Sequence, residues 1–150
     1  MATKEKYNVL LVDDEESVRF TLNKYLKDAG YGVDTASGLS EAYSHLKNES
    51  VDIAVIDRML TNGENGMDLV QYIGKRKPAC RTIMISAYPT AESENQAETY
   101  GAFLYLVKPV RKEDILYAVG AVVSSDEKTE LVDCRKYFPV AIYTPVERRN

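Results

Sequence analysis

The sequence predicts an α/β fold in which a five-stranded parallel sheet lies between two layers of helices. Three observations predict it. Short apolar, β-branched segments alternate five times with segments whose apolar residues recur at helical spacing. The third predicted strand, 51–56, is apolar almost throughout, as a strand covered on both faces must be. A chain of 150 residues, 45% of them hydrophobic, suits a single core of ordinary size.

Residues 7–12 are a short apolar run ended by Asp13 and Asp14, and their β-branched content reads as a buried strand. Val18, Leu22, Tyr25, Leu26 and Ala29 then recur on one face of a helix, and Gly30 stands where a C-terminal cap glycine belongs. Residues 31–36 form the second strand, and Leu39, Ala42, Tyr43 and Leu46 mark the second helix. After the third strand, the turn-rich stretch Thr61-Asn62-Gly63-Glu64-Asn65-Gly66 leads into a helix carrying Leu69, Val70 and Ile73. Residues 82–85 are the fourth strand. The fourth helix, 91–100, has only alanines and one tyrosine as an apolar stripe. Low apolar burial implies low local stability, so this helix is expected to be the most mobile of the five. Residues 102–107 make the fifth strand and 111–123 the last helix, with Ile115, Leu116, Val119 and Val122 or Val123 inward.

Strict alternation argues for a parallel sheet with helices on both faces. Right-handed crossovers then favour the flavodoxin-like order 2-1-3-4-5, a three-layer (βα)5 sandwich. Ligands of such sheets sit beyond the carboxyl ends of the strands, at the switch point between strands one and three. Strand one ends in Asp13 and Asp14, strand three in Asp57, strand four in Ser86, and strand five in Lys108 and Pro109. Each has an ordinary reading by itself. Asp13 or Asp14 with Glu16 suits a helix cap, Asp57 a turn start, Lys108 a solvated lysine, and Ser86 a strand-end hydroxyl. Together they bring three carboxylates, a hydroxyl and an ammonium to one edge. Three close carboxylates repel one another, and a hard cation such as Mg²⁺ relieves this with one or two direct carboxylates plus water. Asp14 and Asp57 suit direct ligation, with Asp13 acting through water. Lys108 is placed to reach the cluster and a phosphoryl oxygen, and Ser86 to donate a hydrogen bond to one.

The runs Val9-Leu10-Leu11-Val12-Asp13-Asp14-Glu15-Glu16, Val55-Ile56-Asp57-Arg58-Met59-Leu60, Met84-Ile85-Ser86-Ala87-Tyr88 and Tyr105-Leu106-Val107-Lys108-Pro109 resemble the receiver domain of two-component response regulators. The resemblance covers about four-fifths of the chain. Ser86-Ala87-Tyr88-Pro89 and Gly101-Ala102-Phe103-Leu104-Tyr105 look most like receivers attached to sigma-54-type activators. The resemblance implies that Asp57 accepts a phosphoryl group from a sensor histidine kinase, a histidine phosphotransfer protein or a small phosphodonor. It implies that Asp13, Asp14, Asp57 and the Met59 main-chain carbonyl hold Mg²⁺ or Mn²⁺. Lys108 would pair with Asp57 and then with the phosphoryl group, Ser86 would move to meet it, and Tyr105 would be the switch aromatic that turns inward. A cis Lys108–Pro109 peptide is expected, and proline makes it accessible. The protein would be a regulatory phosphoacceptor in signal transduction rather than an enzyme, with slow loss of its own phosphoryl group. Its fourth helix, fifth strand and fifth helix would control a partner or output domain, or form a homodimer.

Two departures accompany the resemblance. Thr61 stands where the family usually has proline, and the loop to Gly66 is one residue longer. Met59 and Tyr88 are larger than a bare hydrolytic site needs and are expected to shield the phosphoryl group from water. A pseudo-receiver would not need Asp13, Asp14, Asp57, Ser86 and Lys108 together. A flavin carrier would need a glycine-rich phosphate loop where Asp13-Asp14-Glu15-Glu16 stands. A phosphohydrolase would need an acid at Met59.

The receiver domain is expected over 1–123. Residues 124–150 are expected to be an extension too short for an output domain, carrying a short helix around Leu131, Cys134 and Phe138, or an apolar tail that packs on the domain, extends a dimer or stays loose, in either a single-domain regulator or a piece of a longer protein. The net charge of −4 argues against a general nucleic-acid or acidic-lipid surface. No apolar run approaches the roughly 18 residues of a membrane span and no leader is evident, so a cytoplasmic location is expected. Cys80 and Cys134 read as free thiols of a reducing compartment, and His45 as a surface histidine.

Overall fold

The computed structural model describes residues 7–128 and the backbone of Ile142 and Tyr143. The elements are β1 (Asn8–Val12), α1 (Glu16–Asp28), β2 (Gly32–Ala36), α2 (Leu39–Asn48), β3 (Ile53–Asp57), α3 (Gly66–Arg76), β4 (Arg81–Ser86), α4 (Ala91–Thr99), β5 (Leu104–Val107), α5 (Lys112–Lys128) and β6 (Ile142–Tyr143). The five expected strands are parallel and lie in the expected order 2-1-3-4-5.

Two features go beyond the sequence reading. β6 joins the outer edge of β5 antiparallel, with Tyr105 opposite Tyr143 and Leu106 opposite Ile142. A two-residue strand offers no period to read, and its pairing depends on residues far away in the chain. In addition, α5 runs through Ser124 and Ser125 to Lys128. Ser125 is buried and accepts a hydrogen bond from Arg81 Nη1 at 3.3 Å, which ties this last stretch to the start of β4. The short helix expected around Leu131, Cys134 and Phe138 lies outside the described residues.

Period-two alternation sorts the strands between two cores. Val9, Leu11, Ile53, Val55, Ile83, Ile85, Leu104 and Leu106 face α1 and α5, where Leu22, Leu26, Ile115 and Val119 meet them. Leu10, Val12, Ala54, Ile56, Met84 and Tyr105 face α2, α3 and α4. Carried to the strand ends, the same parity puts Asp13, Asp57 and Lys108 on the first face and Ser86 on the second.

The second layer is thinnest at α4. Its buried residues are Ser93, Glu94 and Ala97, so one small apolar side chain anchors it. Its start is held by polar bonds. Thr90 Oγ1 accepts from the Ser93 N–H at 3.0 Å, and Ser93 Oγ accepts from the Thr90 N–H at 3.0 Å. α1, by contrast, buries Leu22 and Leu26. Gly66 opens α3 against the back of β3. Its N–H donates to the Arg58 carbonyl at 2.7 Å, and a Cβ there would collide with the Asp57 carbonyl and stand 2.7 Å from Ile56 Cγ2.

Amide exchange in α4 is expected to be faster than in α1; equal protection would contradict the weak anchoring of α4. Gly66→Ala is expected to destabilise the fold by about 2 kcal/mol, because the obstacle is main chain that cannot step aside. Denaturant unfolding measures this.

Candidate functional site

The carboxyl ends of β1, β3 and β5 converge. Lys108 Nζ lies 3.0 Å from Asp57 Oδ2, 3.1 Å from Asp13 Oδ2 and 3.6 Å from Glu15 Oε1. Asp13 and Asp57 are buried. Asp57 Oδ1 accepts from the Met59 N–H at 3.2 Å, so the main chain orients one oxygen and Lys108 the other. Asp13 Oδ1 accepts from the Glu15 N–H at 2.9 Å, and the Asp13 carbonyl accepts from Arg19 Nη1 at 2.7 Å. The capping reading of Asp13 and Asp14 is not what forms. The N-cap of α1 is Glu15, with no side-chain cap bond. The Lys108–Pro109 peptide is cis.

Asp14 is held by a residue of the β3–α3 loop. Thr61 Oγ1 donates to Asp14 Oδ2 at 2.6 Å. The loop carrying Thr61 is a small hairpin. Met59 bridges Asn65, Leu60 N–H donates to the Glu64 carbonyl at 3.0 Å, and a 3₁₀ turn spans Thr61–Gly63 with Asn62 at φ 63°. Asn tolerates that left-handed backbone better than most residues. Glu64 Oε1 accepts from the Leu39 N–H at 3.0 Å, fastening the loop to the start of α2. The loop path therefore brings the Thr61 hydroxyl to Asp14.

Carboxylate oxygens of Asp13, Asp14 and Asp57 lie within 4.8 Å of one another. The surroundings of Asp57 and Lys108 shift both groups. Asp57 is pushed above its ordinary 3.8, first by burial and then by the charge of Asp13, with Lys108 pulling the other way. Burial pushes the Lys108 ammonium down, but Asp57 and Asp13 outweigh it and its pKa stands above 10.5. An isolated pair would lower the acid and raise the base. Here both rise, because burial and the neighbouring Asp13 charge act against ionised Asp57, while Asp57 and Asp13 together hold the proton on Lys108. Asp13 Oδ2 is also buried, and Lys108, which it shares with Asp57, is the cation beside it. An all-oxygen donor set of three carboxylates beside one ammonium fits a hard divalent cation.

Ser86 and Tyr105 stand apart from the carboxylates. Ser86 Oγ accepts from Arg58 Nε at 3.3 Å and from the Tyr88 N–H at 3.1 Å. Tyr105 is already fully buried, its hydroxyl 2.8 Å from Ser93 Oγ. The expectation that it turns inward thus starts from a ring that is inward already, held by an apolar pocket and a polar partner on α4. Met59 and Tyr88 are 58% and 72% exposed and flank the site on its two loops. The sequence reading gave Arg58 and Thr61 no role. Arg58 was accessible to it, since strand parity puts that residue on the Ser86 face; Thr61 depends on the loop path. His45 lies on α2, its Nδ1 3.1 Å from Glu49 Oε2. Cys80 is a buried free thiol pushed up to about 12 by burial and then by Asp52. Cys134 lies outside the described residues.

Residues 9–120 match the family model of the response regulator receiver domain. The chain is 34% identical, over 110 residues and 73% of its length, to a putative response regulator NtrX-like of Rickettsia conorii, of which it covers 23%. It spans about a quarter of the length of the NtrX-like, AlgB and PilR relatives it matches. A CheY-like receiver domain protein of Methanospirillum hungatei superposes with a TM-score of 0.78 at 27% identity, over 83% of this chain and 98% of that one. A response regulator of Burkholderia pseudomallei, solved with a phosphorylated aspartic acid, a calcium ion and citrate, superposes at 0.71 with 29% identity, over 82% of this chain and 74% of that one.

Because the folded-state pKa of Asp57 is raised, its ionisation costs stability as pH climbs from 3.8 through that pKa. Asp57→Asn is therefore expected to raise Tm by roughly 2–5 °C at pH 7 without divalent metal, with the gain vanishing below pH 3.8. Millimolar Mg²⁺ should raise Tm of the parent protein and do little for the variant. Calorimetry across pH checks both.

Proposed function

Since this chain belongs to the response regulator receiver domain family, we propose that it is a phosphorylation-controlled switch in which Asp57 accepts the phosphoryl group. The observation that carries this reading is the convergence of Lys108 on Asp57 and Asp13 at 3.0 and 3.1 Å, within a cluster two negative charges in excess. The phosphorylated aspartic acid of the Burkholderia pseudomallei relative supports it. In the transfer, a carboxylate oxygen of Asp57 attacks phosphorus. An O–P bond forms and the N–P bond of a donor phosphohistidine breaks, leaving its electron pair on the imidazole nitrogen. The protein contributes orientation and charge rather than covalent chemistry. The Met59 N–H and Lys108 aim the two carboxylate oxygens, and Lys108 then moves its charge onto the phosphoryl oxygens. Mg²⁺ or Mn²⁺, held by Asp13, Asp14, Asp57 and the Met59 carbonyl, supplies neutralisation of the developing charge when bound. The protein acts as a regulatory phosphoacceptor rather than an enzyme with turnover.

Ser86 donates to a phosphoryl oxygen in the switched state. Tyr105, bonded to Ser93, links that change to α4, so the α4–β5–α5 surface is the output. The donor is a sensor histidine kinase or a histidine phosphotransfer protein in the cytoplasm. The target is a partner, an output domain or a second copy joined through this surface or the C-terminal tail. Residues 1–123 carry the switch and 124–150 extend it. β6 bears on the surface directly, since it occupies the β5 edge beside Tyr105.

With Mg²⁺ and acetyl phosphate, the intact protein should gain the mass of one phosphoryl group, and Asp57→Asn should not; no gain with a competent donor would falsify the reading. Met59 and Tyr88 cover the phosphoryl group against water. The double variant Met59→Ala, Tyr88→Ala should lose phosphate severalfold faster, read as the decay of the phosphorylated mass, and an unchanged decay rate would remove the shielding role.

A further inference from the structure

Arg58 follows Asp57 directly, yet strand alternation turns its side chain to the opposite face. In the ladder between β3 and β4, Asp57 stands opposite Ile85. The Arg58 N–H carries that ladder one step on by donating to the Ile85 carbonyl at 2.8 Å. Arg58 and Ser86 are thus neighbours on adjoining strand ends, on the face of Ile56 and Met84. The guanidinium uses this position twice, once on the last residue of β4 and once on the loop that follows. Nε donates to Ser86 Oγ at 3.3 Å, and Nη2 donates to the Tyr88 carbonyl at 3.0 Å. The Tyr88 N–H donates to the same Ser86 oxygen at 3.1 Å. Both acceptor positions of the Ser86 hydroxyl are therefore occupied, and Arg58 ties the serine to the loop that follows it.

We propose that Arg58 is a positioning residue that latches Ser86 and the β4–α4 loop in the unphosphorylated arrangement, and so sets how readily a phosphoryl group on Asp57 recruits Ser86. The proposal rests on the reading of Asp57 as the acceptor. Ser86 lies on the face away from Asp57, Asp13 and Lys108. Meeting a phosphoryl group requires its hydroxyl to shift toward them. That shift breaks the Arg58 Nε bond and disturbs the Tyr88 carbonyl on the same guanidinium. A planar fork holds two acceptors at fixed separation, which a lysine ammonium does not reproduce. A ligand moves a two-state equilibrium only by its differential affinity, so a bond made in the unswitched state alone opposes it. Where the competent state is minor, removing that bond tightens apparent affinity by the factor by which the population rises, here roughly five- to tenfold for a partly exposed bond from a charged donor.

The test is a titration of the full chain with beryllofluoride, a phosphoryl mimic, at fixed Mg²⁺. It is followed through the ¹H–¹⁵N resonances of Ser86 and Tyr88 in the parent, Arg58→Ala and Arg58→Lys. Both variants should bind beryllofluoride roughly five- to tenfold more tightly. Before any mimic is added, their Ser86 and Tyr88 resonances should already lie displaced toward the loaded positions of the parent. A merely structural role would not displace them in that direction. With Ser86→Ala in the background, the gain from Arg58→Ala should shrink. Unchanged or weaker binding in both variants would overturn the latch, and weaker binding would make Arg58 a ligand of the phosphoryl group instead. Should the parent take up neither beryllofluoride nor phosphoryl mass, the acceptor reading and the latch would fall together, whereas uptake by the parent with no gain in the variants would remove the latch alone.

Discussion

The ammonium of Lys108 is the contact on which the site depends. It holds two buried carboxylates from different strands, Asp13 and Asp57, at 3.1 and 3.0 Å. Removing that ammonium would leave both buried carboxylates uncompensated, which is far worse than never having buried them. Yet one ammonium faces three carboxylates whose oxygens lie within 4.8 Å of one another, and burial with Asp13 still holds Asp57 above its ordinary range. The site thus joins three carboxylates to a single ammonium, the composition that suits a hard divalent cation. Thr61, by bonding Asp14, keeps the third carboxylate close without a buried counter-charge.

The sheet separates chemistry from response. Asp13, Asp57 and Lys108 share one face by strand parity, while Arg58, Ser86 and Tyr105 share the other. The carboxylate cluster and the Ser86 side of the site therefore lie on opposite faces of the same strand ends. Events at Asp57 can reach α4 through strand ends and the β4–α4 loop. That loop leads into the most lightly anchored helix, whose Ser93 meets Tyr105 at 2.8 Å. A weakly held element wired by polar bonds is the part of a fold that a few new hydrogen bonds can displace.

Much of this was legible in the sequence because it rests on short-range rules. The apolar run 51–56 and the helical spacing of Leu22 and Leu26 follow from burial. The strand order follows from right-handed crossovers, and the convergence of Asp13, Asp57 and Lys108 from the rule that parallel strands present their carboxyl ends together. The bond between Thr61 and Asp14 was not legible, because it depends on a hairpin path closed by Met59 and Asn65 and fastened by Glu64. Nor was β6, which has no periodicity of its own and pairs with β5 through the main chain. The inward setting of Tyr105 also depends on a partner, Ser93, supplied by another element.

The sequence by itself determined the alternation of elements, the face each strand residue takes, and which ionisable groups stand at the strand ends. These are properties of local period and of chain direction. Tertiary structure alone decided how those groups share their bonds: Lys108 divided between two aspartates, Ser86 held by Arg58 and Tyr88 rather than by Asp57, and Asp14 held by a loop threonine. Hydrogen bonds are short and directional, so their partners are chosen only after packing has placed backbones to within a fraction of an ångström. Periodicity names the face, and only the packed fold names the atom.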